Sequence, residues 1–288
     1  MFAQVSSVRM SWLAALIAVA GVATAGEPSA HGPSAHEAAV HLARDIGSRP
    51  ATSRAELRAH RYVARRFRHA GLATTFTRFD VPGRGRSRNV VGAWDGPRRC
   101  LKIVMAHTDS VPAATGAVDN ASGVGVVVAL ARRLDVLQPA CDVWLVATGA
   151  EERPYTRHPD HLGALRLVKH VRREGRARHL RYALSVDMVG RGGRFQLRSP
   201  RSDPRRRVER QVLRAGRRRD VPLRWLRDSG TGNSDHREFE LAGLPGLVMQ
   251  MWGDLEPCWH RSCDGWRRLQ PRALRRAQRV VEGALTRR

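Results

Sequence analysis

Between residues 101 and 251, short apolar runs alternate with longer amphipathic ones. Leu101–Ala106, Asp142–Thr148, Leu180–Met188 and Leu247–Met251 read as strands, apolar nearly throughout as in a sheet covered on both sides. Ser122–Leu137, His161–Val171, Pro204–Arg217 and Ser234–Leu241 read as the helices between them, and Pro271–Leu285 as a last one. Strands joined through helices predict an α/β fold, a central mostly parallel sheet with helices on both faces. Ahead of this core, Ala38–Ile46 and Arg54–Ala70 have helical spacing. The second has Leu57, Val63, Ala64 and Phe67 near one face and Gly71 as a stop. Leu72–Val81, rich in Thr and Phe, predicts an edge strand, and Arg88–Trp94 another. No internal repeat and no linker interrupts the chain after residue 35, so residues 36–288 are expected to form one domain.

In open α/β sheets, ligands bind beyond the carboxyl ends of the strands. Here those ends carry the reactive side chains. His107-Thr108-Asp109 follows the first run, Gly149-Ala150-Glu151-Glu152 the second, Asp187 closes the third, and Cys258-Trp259-His260 lies beyond the fourth. Taken singly, a His-x-Asp or a Glu-Glu pair is an ordinary exposed turn. Clusters at successive strand ends are hard to read as surface decoration.

Met1–Ala25 has the three parts of a secretory signal. Arg9 is the charged start, Trp12 to Val22 is unbroken apolar sequence, and Ala23-Thr24-Ala25 is the cleavage motif before Gly26. The apolar run is shorter than the roughly 20 residues a spanning helix needs, and no cysteine follows it to take a lipid. Residues 26–35, small, polar and proline-containing, are expected to be a flexible leader. The chain is therefore expected to be secreted or periplasmic, with no membrane attachment once the signal is cleaved.

Export gives the four cysteines a structural reading. Cys258 and Cys263 could close a small loop; Cys100 and Cys141 each precede a strand, and neighbouring strand starts would bring them together. Four cysteines allow three connectivities; Cys258–Cys263 with Cys100–Cys141 is the expected one. Composition matters chiefly through charge. Basic residues number 51 against 26 acids, net +25, and +24 without the signal. Only Lys102 and Lys169 are lysines, a skew that looks like codon bias. Such a charge would suit a polyanion, but the arginines are spread from Arg65-Arg66 to Arg287-Arg288 with no zinc-finger, RNP or basic-region spacing. No specific nucleic-acid partner is expected.

Ala106-His107-Thr108-Asp109-Ser110-Val111, Val118-Asp119-Asn120-Ala121-Ser122-Gly123, Gly149-Ala150-Glu151-Glu152, Ser185-Val186-Asp187-Met188 and Ser234-Asp235-His236 follow one another in that order. Together they resemble the secreted di-zinc aminopeptidases of the bacterial leucyl type, a family with relatives shaped like glutamate carboxypeptidase and glutaminyl cyclase. The resemblance runs from about His41 to the C-terminus and implies a three-layer α/β/α zinc-exopeptidase fold with a mixed, mostly parallel sheet. It also implies two zinc ions, His107, Asp119 and His260 holding one and Asp119, Glu152 and Asp187 the other. Two metals about 3.5–4 Å apart need a bridging carboxylate. Asp119 suits that role, with Gly123 and Gly125 letting the following helix pack tightly against the site. Glu151 would stay free as general base, and Asp109 would orient the His107 ring. Two adjacent bare carboxylates repel, so one keeps its proton; a cation on Glu152 would leave Glu151 free to ionise.

His236 competes with His260 for the last ligand position. Cys258-Trp259-His260-Arg261-Ser262-Cys263-Asp264 resembles the disulfide-closed metal loop of secreted bacterial members, which makes His260 the expected ligand and places His236 near the substrate pocket. His31, His36, His158 and His161 are expected at the surface. Trp259 stands where some relatives have a tyrosine whose hydroxyl holds the oxyanion. The longer segment Arg153 to His161 either rims the substrate entrance or is a tolerated insertion. The implied activity is that of a monomeric aminopeptidase acting on peptides with a free N-terminus. A glutaminyl-cyclase-like or carboxypeptidase-like enzyme is the alternative on the same scaffold. Outside enzymes, the alternative is a silent homologue whose basic surface contacts envelope polymers or nucleic acid.

Overall fold

The computed structural model describes residues 32–199, 207–221, 223–228, 230, 232–252 and 256–286. The signal-like Met1–Ala25, most of the 26–35 leader and the start of the helix expected from Pro204 lie outside the described residues. The Ser34 hydroxyl accepts the Glu37 N–H (3.2 Å), while the Glu37 carboxylate accepts the Ser34 N–H (2.8 Å). This reciprocal capping box starts helix α1 (Ala35–Val40) inside the stretch expected to be leader, and the chain continues in a wider turn over His41–Ile46. Helix α2 (Arg54–His69) leads into the hairpin of β1 (Ala73–Val81) and β2 (Gly85–Trp94). Then come β3 (Arg98–His107), α3 (Ser122–Ala131), α4 (Leu134–Leu137), β4 (Cys141–Thr148), α5 (Arg153–Thr156), α6 (Leu162–Arg173) and β5 (Leu180–Val186). They are followed by β6 (Phe195–Ser199), α7 (Arg207–Arg218), β7 (Leu223–Arg227), α8 (His236–Leu241), β8 (Gly246–Met251) and α9 (Pro271–Leu285).

Among the described residues the strands form one mixed sheet, in the order β1-β2-β4-β3-β5-β8-β6-β7. β4, β3, β5 and β8 run parallel in its centre, with β2 antiparallel on one side and β6 on the other. Alternation along β3 sorts the core. Val104 and Ala106 belong with Ala39 of α1, Phe67 of α2, Val127 of α3 and Val281 of α9, whereas Ile103 and Met105 belong with Val168 of α6 and Phe239 of α8. Helices therefore cover both faces, a three-layer α/β/α arrangement.

The helix expected over Ser122–Leu137 is two, because the buried run of α3 ends at Arg132-Arg133, where the chain meets solvent. A Cβ at Gly123 would stand 2.0 Å from the Val186 carbonyl oxygen, so glycine is what lets α3 start against the end of β5. Gly125 serves a different contact from the expected one: a Cβ there would meet the Ala35 carbonyl of α1 at 2.2 Å, away from the strand ends. Both expected disulfides are present. Cys100–Cys141 ties the starts of the parallel neighbours β3 and β4, and Cys258–Cys263 closes a loop after β8.

Arg49 fixes the segment that follows β3. Fully buried, it donates from Nε to Thr108 O (2.8 Å), from Nη1 to the carbonyls of Leu42 (3.1 Å), Gly47 (2.7 Å) and Thr115 (2.6 Å), and from Nη2 to Gly116 O (2.9 Å). Burial pulls its guanidinium down to about 10, with Asp109 and Asp264 opposing, so it stays charged at neutral pH. Arg49→Met leaves buried carbonyls without donors and is expected to cost at least about 3 kcal/mol in urea unfolding. A loss below about 1 kcal/mol would remove this role from Arg49.

Candidate metal centre

β3 and β5 are neighbours, with Met105 opposite Ser185, so their carboxyl ends bring His107 and Asp187 together. His107 Nε2 lies 3.1 Å from Asp119 Oδ1 and 3.5 Å from Asp187 Oδ1. Asp119 comes from the turn before α3. Its backbone N–H and that of Val118 donate to the Asp264 carboxylate at 3.1 and 2.8 Å. The second carboxylate oxygen of Asp119, Oδ2, is 3.4 Å from His260 Nε2, which also lies 2.9 Å from Glu152 Oε2. His260 sits on the Cys258–Cys263 loop with the Trp259 ring against it, 4.2 Å between centroids. One group is thus His107, Asp119 and Asp187, and the other Asp119, Glu152 and His260.

All five residues expected as ligands converge, but the division implied by the resemblance does not follow the geometry. His107 goes with Asp187, and His260 with Glu152. Strand order is the reason. β5 lies on one side of β3, while Glu152 follows β4 on the other side, where it meets the disulfide loop.

The donors fit divalent cations. Glu152 Oε1 and Asp187 Oδ1 are buried and accept no hydrogen bond from a described residue, a costly state that a cation would relieve. Burial raises the Glu151 carboxyl well above its ordinary value, with His107 opposing and Glu152 adding repulsion. Burial, helped by Asp119, pushes Glu152 up to about 7. The imidazoles shift upward too. Burial works against their charge, yet Glu151, Asp119 and Asp187 hold His107 well above its usual range, and Asp119 and Glu152 raise His260 to about 10. Against burial, His107 and His260 in turn hold the Asp119 carboxyl below its ordinary value. A site that keeps protons on Glu151, Glu152 and both imidazoles is short of positive charge. Mixed imidazole and carboxylate donors suit zinc.

Glu151 stands outside both groups, its Oε1 3.3 Å from His161 Nε2. Asp109 accepts the backbone N–H of Glu151 and of Glu152, each at 3.1 Å. Toward His107 it turns its carbonyl, 3.2 Å from Nδ1, with the carboxylate at 3.9 Å. Its carboxylate therefore fixes the two glutamates, and it is the main-chain oxygen that faces the ring. The two N–H groups at the end of β4 occupy the carboxylate first.

His161 overturns an expectation: it is buried, at 1 % exposure. Its Nδ1 lies 3.2 Å from Glu238 Oε1, which also accepts the His161 N–H (3.1 Å). The 153–161 segment turns inward through α5, and the Leu162 N–H returns to the Ala150 carbonyl (3.2 Å). His36 and His158 are partly exposed, and His31 lies outside the described residues. In Ser234-Asp235-His236, Ser234 Oγ meets Ser185 Oγ at 3.0 Å and Asp235 accepts from Thr148 at 2.5 Å, joining the start of α8 to β5 and β4. His236 Nε2 is 2.7 Å from Asp228 Oδ2 and lines the cavity over the centre, about 520 Å³ in volume. Sequence patterning missed His161 and Asp228, which belong to no motif and reach the site only through the fold; Asp264 stands at the end of the disulfide-loop string, with no role read for it.

The profile of Peptidase family M28 matches residues 89–285, a span that holds every residue of both groups. The chain belongs to peptidase family M28. Leupeptin-inactivating enzyme 1 of Streptomyces exfoliatus is 29 % identical to this M28 chain over 269 residues, covering 85 % of it and 58 % of the relative. The chain thus spans little more than half the length of that curated relative. A zinc aminopeptidase from Bacillus subtilis superposes with a TM-score of 0.76 at 18 % identity, over 87 % of this chain and 93 % of its own. A glutaminyl cyclase from Bacteroides thetaiotaomicron, solved with N-acetylhistamine, gives 0.74 at 18 % identity, over 89 % and 99 %. At these identities the likeness is one of fold, the three-layer architecture of zinc exopeptidases.

Proposed function

We propose that this M28 chain is a secreted zinc aminopeptidase that releases N-terminal residues from peptides. The observation that carries the reading is Glu151, a carboxylate beside two metal-binding groups that share Asp119 and outside both. His107, Asp119 and Asp187 would hold one zinc, and Asp119, Glu152 and His260 the other. When bound, zinc supplies Lewis-acid polarisation of the scissile carbonyl and lowers the pKa of water. The remaining steps fall to side chains of this chain. Glu151 takes a proton from the attacking water and returns it to the leaving amine. Asp109 holds the Glu151 backbone, and the His161 ring, kept neutral by burial, stands 3.3 Å from the Glu151 carboxylate, where its single N–H would be donated from Nε2. Carboxylate oxygens around the centre would accept hydrogen bonds from a free α-amine, which would make the enzyme exo-acting.

Export is supported by the signal-like Met1–Ala25 and by the two disulfides. Among the described residues no helix is long and apolar enough to cross a membrane. The reading takes residues 36–288 as the catalytic domain, a monomer whose partners are peptides with a free N-terminus, with no specific nucleic acid. A panel of aminoacyl-nitroanilides with and without chelator, alongside metal analysis, tests it. Chelator-sensitive release with two zincs per chain is the expected result. Cyclisation of N-terminal glutamine peptides with no release of amino acids would overturn it. Within this mechanism His161→Ala is expected to lower kcat roughly 10- to 100-fold, the value of one hydrogen bond to a charged group. KM and zinc content should hold; an unchanged kcat would make His161 only a packing residue.

A further inference from the structure

Sequence patterning missed β6 and β7; β6 places Arg198, and the position just past β7 places Asp228, on the cavity wall beside Val248 and Gln250 of β8. β6 pairs antiparallel with β8, Arg198 opposite Val248 and Gln196 opposite Gln250. Facing residues in such a pair project from the same side of the sheet. Arg198, Val248 and Gln250 accordingly line the cavity, while Leu197 and Met249 turn to the core. Gln250 joins this wall to the metal centre, its amide nitrogen 3.5 Å from Asp187 Oδ2. Asp228, just past β7, backs the wall. Arg198 Nε donates to its Oδ1 (2.6 Å), and His236 Nε2 meets its Oδ2 (2.7 Å). Asp228 is 5 % exposed with both oxygens engaged, whereas the Arg198 side chain keeps 29 % of its surface. Both side chains line the cavity, and the wall shows it more of the guanidinium than of the carboxylate.

A second guanidinium, Arg153, borders the same cavity. It donates to two neutral oxygens, the Pro159 carbonyl (3.4 Å) and the Asn233 side-chain amide, and no carboxylate among the described residues lies within ion-pair distance of it. Binding pockets are ordinarily apolar with a few polar groups that set specificity. Here two arginines face the cavity, and among the described residues only Asp228 pairs with either of them. Two divalent ions would balance the four carboxylates Asp119, Glu151, Glu152 and Asp187, so the wall would keep its positive excess in the loaded enzyme.

We propose that this wall selects peptides carrying a carboxylate on a residue that flanks the scissile bond. The inference rests on the aminopeptidase reading and names its substrate class. A planar guanidinium can take a carboxylate through two parallel N–H bonds, and an amide of the same shape gains less. The test compares kcat/KM for glutamyl-, glutaminyl- and leucyl-nitroanilide, and for Leu-Glu against Leu-Gln. Glutamyl should exceed glutaminyl by about tenfold or more, the margin of a charge-assisted bond. The ratio should fall toward one in Arg198→Gln and only part-way in Arg198→Lys. A preference seen only for Leu-Glu would place the carboxylate on the leaving residue, with the same dependence on Arg198. Should Arg198→Gln fail to fold, Arg153→Gln, outside the Asp228 pair, must lower the ratio instead.

Binding of free glutamate against free glutamine to the zinc-loaded protein, measured calorimetrically in wild type and variant, needs no turnover. Selective glutamate binding, lost in Arg198→Gln, with no nitroanilide cleaved would sink the aminopeptidase reading and leave the wall's preference standing. Leucyl turnover above glutamyl with equal glutamate and glutamine affinities would overturn the wall's preference and leave the aminopeptidase reading standing.

Discussion

Glu151→Gln should lower kcat by about 10²–10⁴-fold, the usual cost of losing a general base, with zinc content and KM close to wild type. The substitution keeps the size of the side chain and its hydrogen-bonding shape, so the Asp109 bond to the backbone N–H survives. It removes the ability to accept a proton from water. Neither candidate metal group contains Glu151, which is why metal should stay. The adjacent Glu152→Gln should behave differently. It withdraws an anion that lies 2.9 Å from His260 Nε2, so one zinc should weaken and excess zinc should partly restore the rate. Metal analysis beside kinetics separates the two. Loss of zinc in Glu151→Gln with both ions kept in Glu152→Gln would exchange the two roles. Hydrolysis unaffected by either change would end the metallopeptidase reading.

The contrast between these neighbouring glutamates shows which parts of the site sequence reasoning could reach. The strand ends were readable, because β3, β4 and β5 are apolar runs buried on both faces and each ends in a short polar cluster. Four of the five converging donors lie in such clusters or in the disulfide loop, and Asp119 lies in the turn before α3. How they divide was not readable, since that depends on which strand lies beside β3, and the crossover order β4-β3-β5 is a tertiary fact. β6 and β7 escaped because five-residue strands with Gln, Arg or Trp between apolar positions carry too little periodicity. With them went Arg198 and Asp228. His161 escaped for another reason: a histidine before an amphipathic helix looks like a surface cap, and it is buried only because the 153–161 segment folds back onto the cavity.

Asp119→Ala should be the most damaging change to metal binding, taking zinc below one per chain and hydrolysis to background. Asp119 is the only residue common to both groups; its Oδ1 faces His107 and its Oδ2 faces His260. Removing that carboxylate withdraws a donor from each ion at once and leaves the two imidazoles without the anion between them. The backbone should survive, because the Asp264 carboxylate holds the Val118 and Asp119 N–H groups and does not involve the Asp119 side chain. Misfolding is thus separable from metal loss. In the wild type, zinc at 100 times its dissociation constant should stabilise the fold by about 2.7 kcal/mol for each independent site, so chelator should lower Tm. In Asp119→Ala, Tm should match that of chelated wild type and no longer respond to chelator. Asp187→Asn, which touches one group alone, should lose one zinc and part of the chelator response. If Asp119→Ala instead kept one zinc at full occupancy while Glu152→Gln lost both, the shared carboxylate would be Glu152.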